Sequence, residues 1–230
     1  KDINVCFFSD LEKEKRYSKY ATSIEDFQLV VQVIKYPTPD KVRFDIFDRV
    51  NRGGTPLNKQ EMRNALYQGQ STQMLKELSE GEAFLAATGG SISPKHMKDR
   101  YIILRALCFD LYQKRKLTDA DGKIVEYRSD IEDFLGTGME FLNRMPSEEL
   151  RGLKEEFERT MWHIYHIIGD NAFRIPTEYE RRRPISMTLF EALYYLFQPF
   201  VQIKEEDITK LQESVKELLK DPVFLESLQF

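Results

Sequence analysis

The sequence predicts a mainly α-helical fold, in which the last part of an α/β lobe is followed by a helical bundle lobe. After residue 70, apolar residues recur with the three- and four-residue spacing of helices that bury one face. Before it, one stretch, residues 27–36, has the Val and Ile content of a β-strand. A change of composition near Gly89 divides the lobes, and we therefore predict them at residues 1–90 and 91–230.

The composition is that of an ordinary globular protein. Of the 230 residues, 41% are hydrophobic and 31% are charged, and the formal net charge is −4. This acidic balance argues against a broad basic surface for nucleic acid, but it leaves room for a local basic patch. No apolar run approaches the ~20 residues of a membrane-spanning helix. Two widely spaced cysteines do not make a disulfide framework, and we expect a cytoplasmic protein without membrane contact.

The predicted strand, residues 27–36, contains an almost continuous run of apolar residues. Such a run is typical of a strand that is buried on both faces, or on one face with a covered edge. Because one strand cannot form a sheet, its partners are expected in residues 1–26 or before Lys1. The chain opens without a Met, so we expect further residues there. Residues 10–20 are highly charged and are predicted to form a short solvated helix or a loop.

Residues 44–69 are the most informative stretch, and they read as two helices joined by a glycine-rich turn. The first helix begins with Thr-Pro-Asp, which favours a helix start, and it ends at Asn51. The second helix begins at Asn58, because Asn58 and Glu61 have the spacing of a reciprocal N-terminal cap. It is predicted to run to Gly69, which suits a left-handed helix end.

The rest of the chain is predicted to be helical. Each helix is recognised by its apolar periodicity, and the breaks fall at glycines, prolines and polar loops. The predicted helices lie at residues 71–78, 82–87, 94–116, 129–145, 148–168, 186–200, 204–219 and 221–228.

The turn between the first two helices has the residue types of an anion site. Gly53 and Gly54 allow close approach of the backbone, and the start of the second helix offers N–H groups to an anion. Arg49, Arg52 and Arg63 lie close by in sequence. The alternative is a tight turn that an Asn caps locally, with its arginines in solvent. The residues alone leave both interpretations open.

A basic loop follows the long helix at 148–168. Its consecutive residues Arg181, Arg182 and Arg183 are candidates for contact with the phosphates of DNA. Arginines in such a loop are more often solvated or paired with carboxylates, and the acidic net charge of the chain favours that alternative.

Two histidines, His163 and His166, stand three residues apart on a predicted helix. This spacing suits two ligands of one metal ion, but no third ligand is apparent and the neighbours are aromatic. We therefore favour packing or hydrogen bonding for both rings and predict no metal site.

Charged residues also occur within the predicted helical lobe. Glu191 lies between aromatic residues and is expected to pair with an arginine. Asp99, Arg100 and Arg105 form a candidate set of internal ion pairs, since burying one partner alone would be costly.

Residues 44–69 resemble the middle motif of a family of ParB-like proteins, represented by the GmrSD and SspE phage-defence systems. That motif reads roughly F-D-R-x-N-x-G-G-x-x-L-N-x-Q-E-x-R-N-A. Residues 100–105 and 190–193 are similar to two later elements of the family. The residues that match the motif are Phe47, Asp48, Arg49, Asn51, Gly53, Gly54, Leu57, Asn58, Gln60, Glu61, Arg63, Asn64 and Ala65.

The resemblance implies a nucleotide-dependent NTPase that restricts modified or foreign DNA. In this family a ParB-like α/β lobe precedes a helical lobe and carries a D-G-Q-Q-R motif associated with nucleotide hydrolysis. The motif is absent from this chain and is expected before Lys1. The implied cofactor is an NTP with Mg²⁺, and the implied partners are the nucleotide, DNA and a nuclease domain or subunit. This chain alone is expected to be inactive.

The resemblance also implies which residues bind the nucleotide. In ParB an E-N-x-x-R turn precedes a D-L-N-x-x-E helix start, and the Asn of the turn helps to hold metal and phosphates. Asn51 matches that Asn, whereas Val50 stands in place of the Glu and Gly54 in place of the Arg. The expected nucleotide-binding residues are Arg49, Asn51, Arg52, Gly53 and Gly54, with Asn58 and Glu61 as the caps that position them.

A second interpretation comes from a different class of function. The helical lobe would then be a non-catalytic interaction module that binds a partner protein or DNA, and the glycine-rich corner would be only a turn.

Overall fold

The computed structural model describes residues 7–13, 17–31, 33–35, 38, 40–51, 53, 56–176 and 182–228. These residues form a mainly α-helical protein, which confirms the predicted class. The helices are α1 (Phe8–Lys13), α2 (Ser18–Glu25), α3 (Asp40–Asn51), α4 (Lys59–Leu66), α5 (Gln70–Glu80), α6 (Glu82–Thr88), α7 (Lys98–Gln113), α8 (Ile131–Arg144), α9 (Ser147–Ile168), α10 (Met187–Phe197), α11 (Glu205–Leu218) and α12 (Pro222–Ser227), with a 3₁₀ turn at Lys95–Met97 before α7.

Contacts divide the chain into two units, Lys1–Pro39 and Asp40–Phe230. In the first unit, α1 and α2 pack together through a small apolar cluster of Leu11, Tyr17 and Ala21. The boundary predicted at residue 90 falls inside the second unit, where helices from both sides of it share one core. The predicted division of this chain into an α/β lobe and a helical lobe at residue 90 stays a prediction.

The strand predicted at residues 27–36 is wrong for the part of it that the structure describes. Residues 27–31 and 33–35 have no regular secondary structure. Their apolar side chains face solvent, and Val30 is 91% exposed. The described residues of 7–26 form helices instead of partner strands. Val and Ile favour a strand only where a neighbouring strand accepts the backbone hydrogen bonds, so composition alone was misleading here.

The helix α7 lies at the centre of the second unit and packs against α5, α8 and α10. Its side chains Ile103, Leu104, Leu107 and Cys108 have no exposed surface. The sequence predicts one buried face for this helix, but the structure buries several sides of it. A helix that is surrounded in this way fixes the positions of its neighbours.

A second layer of the core forms where α6 packs along α9. The Phe84 ring lies 6.4 Å from the Phe157 ring and 6.2 Å from the Phe190 ring, between ring centres. These contacts show that the Phe190 ring of α10 belongs to the core. In the part of the chain that is described, no helix is both long enough and apolar enough to cross a bilayer.

The helix ends follow the local sequence signals with one exception. Gly89 ends α6 in the left-handed conformation, with φ of 59°, as the Gly-Gly pair predicts. The helix α4, in contrast, ends at Leu66 and not at Gly69. Gly69 has φ of 154° and begins α5, and a side chain there would collide with Asn143. The glycine therefore allows the start of α5 and the end of α8 to approach each other closely.

One internal ion pair was expected from the sequence and is confirmed. The Nε of Arg105 on α7 donates to the Glu191 carboxylate on α10. The Arg105 guanidinium also donates to the Tyr101 hydroxyl at 3.3 Å. These contacts join α7 to α10 within a largely apolar core.

The closest approach of α7 and α8 depends on Gly138. A Cβ atom at this position would overlap the Sγ of Cys108, which is fully buried. Burial raises the pKa of the Cys108 thiol to about 12, so this cysteine is a packing residue and not a nucleophile.

We predict that Gly138→Ala lowers the free energy of unfolding by about 1–3 kcal/mol, because the added methyl group forces α7 and α8 apart. Gly152→Ala is the matched control, since Gly152 also lies in a helix but has no atom within 4 Å of the added carbon. That change is expected to stabilise the protein by up to about 1 kcal/mol. Denaturant unfolding measures both effects, and equal effects would contradict the close helix contact.

Candidate functional site

The turn between α3 and α4 is closed by one side chain. The Nδ2 of Asn51 donates to the Leu57 carbonyl at 3.1 Å, and its Oδ1 accepts from the Leu57 N–H at 3.0 Å. The N–H of Gly53 donates to the Val50 carbonyl at 3.2 Å. Both polar atoms of Asn51 therefore hold the turn in place.

The reciprocal cap predicted at the start of α4 is confirmed. The Oδ1 of Asn58 accepts from the Glu61 N–H at 2.9 Å, and the Glu61 carboxylate accepts from the Asn58 N–H at 2.7 Å. The hydrogen bond from the Asn58 backbone is the main cause of a lowered pKa of Glu61, and His96 adds to it. This cap fixes the direction in which α4 begins.

The same two residues bind the turn before α7. The Nδ2 of Asn58 donates to the His96 carbonyl at 2.6 Å, and Glu61 lies 3.2 Å from the His96 Nδ1. His96 and Met97 have φ of 60° and 55°, a left-handed conformation that is unfavourable for side chains of this size. Backbone strain of this kind concentrates at functional sites. Sequence reasoning missed the contact, because it joins residues 38 positions apart.

A recess of about 240 Å³ opens where α4 and α7 begin. Most of its lining residues are polar or charged, with one carboxylate, but most of the surface that they expose to the recess is apolar. The residues around it are Asn58, Lys59, Gln60, His96, Lys98, Tyr101 and Glu132.

A buried arginine lies beneath this recess. Arg63 has no exposed surface, and its guanidinium binds the Glu132 carboxylate at 2.5 Å and the Gln60 side chain. It also lies 5.8 Å from the centre of the Tyr101 ring, and Arg105 lies 5.7 Å from that centre. In the sequence, Arg63 stands close to the arginines of the corner. In the structure, it forms an internal ion pair with Glu132.

One polar side chain of the recess lacks a partner. Gln60 is 3% exposed, and its Oε1 accepts from Arg63. Its Nε2 is buried without a hydrogen-bond partner among the described residues. An unpaired buried donor costs about 1–3 kcal/mol, so an acceptor that entered the recess would relieve that cost.

The residues predicted to bind the nucleotide are only partly brought together. Arg49 is exposed on α3, and neither it nor Asn51 is among the described residues that line the recess. Arg52 and Gly54 lie outside the described residues. Asn58 is the one predicted positioning residue that lines the recess itself. His96 and Lys98 carried no sequence signal.

In the described part of the basic loop, the arginines contact neighbouring groups of the chain, and their contact with DNA stays a prediction. The Arg182 guanidinium binds the Asp170 carboxylate at 2.8 Å, which is the carboxylate pairing left open by the sequence. Arg183 contributes its backbone carbonyl to Arg174. Arg181 lies outside the described residues.

On α9, His163 is half-buried, whereas His166 is exposed and contacts Trp162. Burial lowers the pKa of His163, and the nearby charge of Arg159 lowers it further. The His166 Nδ1 lies 2.7 Å from the Trp162 carbonyl, and its ring packs on the Trp162 ring. Across the described ranges, no group of three or more His, Cys, Asp or Glu side chains is placed to hold a metal ion.

Comparisons of the chain with models of protein families, with curated proteins and with solved structures gave no match. The resemblance to the ParB-like defence proteins therefore stays a prediction, and the function is argued from the site.

We predict that the stability difference between the native protein and Glu61→Gln depends on pH. Since the pKa of Glu61 is lowered on folding, its charged form stabilises the fold above its ordinary pKa of about 4.3. That contribution is lost as the pH falls through the lowered folded value. Melting temperatures are expected to differ most above pH 5 and to converge below pH 4. A difference that stays constant over this range would contradict the charged cap.

Proposed function

We propose that the α3–α4 corner binds the phosphates of a nucleotide, as part of a nucleotide-dependent protein that restricts DNA. The observation that carries the proposal is the recess at the start of α4, where a buried amide donor has no partner. The resemblance of residues 44–69 to the ParB-like proteins points to the same class of ligand.

The start of α4 supplies donors that suit an anion. The first N–H groups of a helix have no partners within the helix, and the helix dipole adds a partial positive charge there. The cap uses the N–H of Glu61. The Nε2 of Gln60 adds a side-chain donor in the same recess. A phosphate oxygen accepts from donors of both kinds.

Positive side chains surround these donors. Lys59 and Lys98 line the recess from α4 and α7, and His96 lines it as well. Lys59 lies 3.9 Å from the Asp48 carboxylate. The one carboxylate among the described lining residues, Glu132, is bound to buried Arg63. The negative charge of Glu132 is thereby offset, and Lys98 supplies a positive charge that favours a phosphate.

In this proposal the residues of the turn position the site. Asn51 closes the turn through Leu57, and the cap formed by Asn58 and Glu61 sets the helix start and holds His96. The exposed Arg49 and the glycine-rich turn would form a second wall, as the resemblance implies.

The residues of the recess fit phosphate better than they fit a metal ion. Its carboxylates, Glu132 and the neighbouring Glu61, are already bound to Arg63 and to the cap. Mg²⁺ prefers oxygen ligands and several waters, so it would be held through the phosphates of the nucleotide. Mg²⁺ bound in that way offsets the charge between neighbouring phosphates.

We predict that Lys98→Met weakens binding of a fluorescent ATP analogue about tenfold, or ~1.4 kcal/mol, because one charged contact to phosphate is lost. Lys76→Met is the control, because this substitution removes the same charge. Lys76 is exposed on α5 and does not line the recess. Asn51→Ala is expected to weaken nucleotide binding and also to lower the melting temperature, because Asn51 holds the turn in place. Fluorescence anisotropy with ATP, GTP and CTP analogues, each with Mg²⁺, measures the effects.

Equal binding by the Lys98 and Lys76 variants would contradict the site. If no nucleotide binds at millimolar concentration, the non-catalytic interaction module is the better account of this chain.

A further inference from the structure

A second arginine, Arg174, is buried without a carboxylate partner among the described residues. Its side chain is 8% exposed, and its two terminal nitrogens donate to the Ser91 hydroxyl and to the Arg183 carbonyl. Its Nε has no hydrogen-bond partner among the residues described. Buried charges in proteins are normally paired with an opposite charge, so this guanidinium is an exception that needs a cause.

The surroundings add positive charge and do not neutralise it. Arg182 lies near Arg174, and its guanidinium binds the Asp170 carboxylate at 2.8 Å and the Asp170 carbonyl at 2.6 Å. Burial lowers the pKa of Arg174, the charge of Arg182 lowers it further, and Asp170 opposes the change. Among the described residues, Asp170 binds Arg182 and acts on Arg174 only from a distance, so two guanidinium groups face one carboxylate.

An open recess of about 510 Å³ lies next to Arg182, and Asp170, which binds Arg182, is among its lining residues. Leu85 and Ala86 of α6 form its apolar part, and Tyr165 and His166 of α9 contribute two rings. Arg182 reaches the edge of this recess, because a Cβ on Gly89 would be 3.0 Å from its guanidinium. Charge and aromatic surface therefore meet at one place.

The rings are held in fixed orientations. The centres of the Trp162, Tyr165 and His166 rings are 5.8 Å apart in each pair. The His166 Nδ1 lies 2.7 Å from the Trp162 carbonyl, and a carbonyl only accepts, so Nδ1 carries the proton. In the neutral ring, Nε2 is then an acceptor. Tyr165 is 37% exposed and offers its ring to a ligand.

We propose that this surface binds one nucleotide unit of a single-stranded nucleic acid. We call it the Arg174 site and define it by Arg174, Arg182, Tyr165 and His166. The phosphate binds the two guanidinium groups, and it displaces the neutral acceptors Ser91 and Arg183 from Arg174. The base stacks on the Tyr165 ring, and the His166 ring, which is inclined by 65° to it, contacts the edge of the base.

A single strand fits these features better than a duplex. Stacking on a protein ring requires an unstacked base, which a strand offers at little cost and a duplex does not. Ser91 and Arg183 are exposed, so water can replace Arg174 as their partner when the phosphate binds. The site lies apart from the recess at α4, and the proposal does not depend on nucleotide binding there.

The test is fluorescence anisotropy of the whole chain with a labelled ten-residue thymidine strand, its duplex and thymidine monophosphate. The strand is expected to bind most tightly. Arg174→Met should weaken its binding about tenfold and lower the slope of log affinity against log salt by about 0.7. Tyr165→Ala should weaken binding by roughly 5- to 100-fold.

Two controls separate this site from other effects. Arg151→Met removes the same charge from an exposed position at the start of α9, and Lys76→Met removes a charge from an exposed position on α5. Both variants are expected to keep the affinity for the strand. If they weaken it as much as Arg174→Met does, binding is non-specific and the proposal fails.

Thermal stability distinguishes a binding role of Arg174 from a structural role. Because Arg174 has no carboxylate partner in the described chain, Arg174→Met should leave the melting temperature unchanged or raise it. A lower melting temperature with unchanged strand affinity would make Arg174 a structural residue and overturn the proposal. The proposal would also be overturned if the duplex or the monophosphate bound more tightly than the single strand. Unchanged affinity of the Tyr165→Ala variant for the strand would overturn it as well.

Discussion

The buried ion pair of Arg63 with Glu132 is the interaction on which the candidate site depends. Arg63 extends from α4, Glu132 belongs to α8, and the Tyr101 ring of α7 lies against the guanidinium. Three helices are thereby fixed around one charge. A fully buried guanidinium cannot be left unpaired without a cost of several kcal/mol, so this arrangement resists slippage of α4 over the bundle. It also offsets the carboxylate that would otherwise repel an anion from the recess above it.

Residues that act locally could be predicted from the sequence. Among the contacts across the fold, the pairing of Glu191 with an arginine was predicted, and the contacts that build the candidate site were not. The Asn58–Glu61 cap and the Gly89 helix end each depend on a few neighbouring residues, so their spacing was sufficient. The contact of Asn58 with His96 depends on how α4 meets α7, which no local pattern encodes. The strand predicted around Val30 failed for a related reason, because a strand requires a partner that its own sequence does not specify.

Each of the two candidate sites contains a buried polar atom without a hydrogen-bond partner among the described residues, the Nε2 of Gln60 and the Nε of Arg174. Such atoms also occur elsewhere in the interior, for example on His163 and Tyr194. What sets Arg174 apart from Arg105 and Lys114 is that these two cations bind carboxylates, whereas Arg174 binds none in the described chain. Groups of this kind destabilise the free protein, and a ligand that supplies the missing acceptor regains that free energy on binding. The same reasoning underlies the anion binding that we propose at both places, by different residues.

The most direct test of the central claim is to map the backbone amide chemical shifts of the ¹⁵N-labelled chain while ATP with Mg²⁺ is added. The amides of Lys59, Gln60 and Glu61 should shift together with those of His96 and Lys98, because the phosphates bind where α4 and α7 begin. The amides around Arg174 should respond less than these do. Shifts confined to the Arg174 site, or no shifts at the start of α4 at millimolar nucleotide, would contradict the assignment of this corner as a phosphate-binding site.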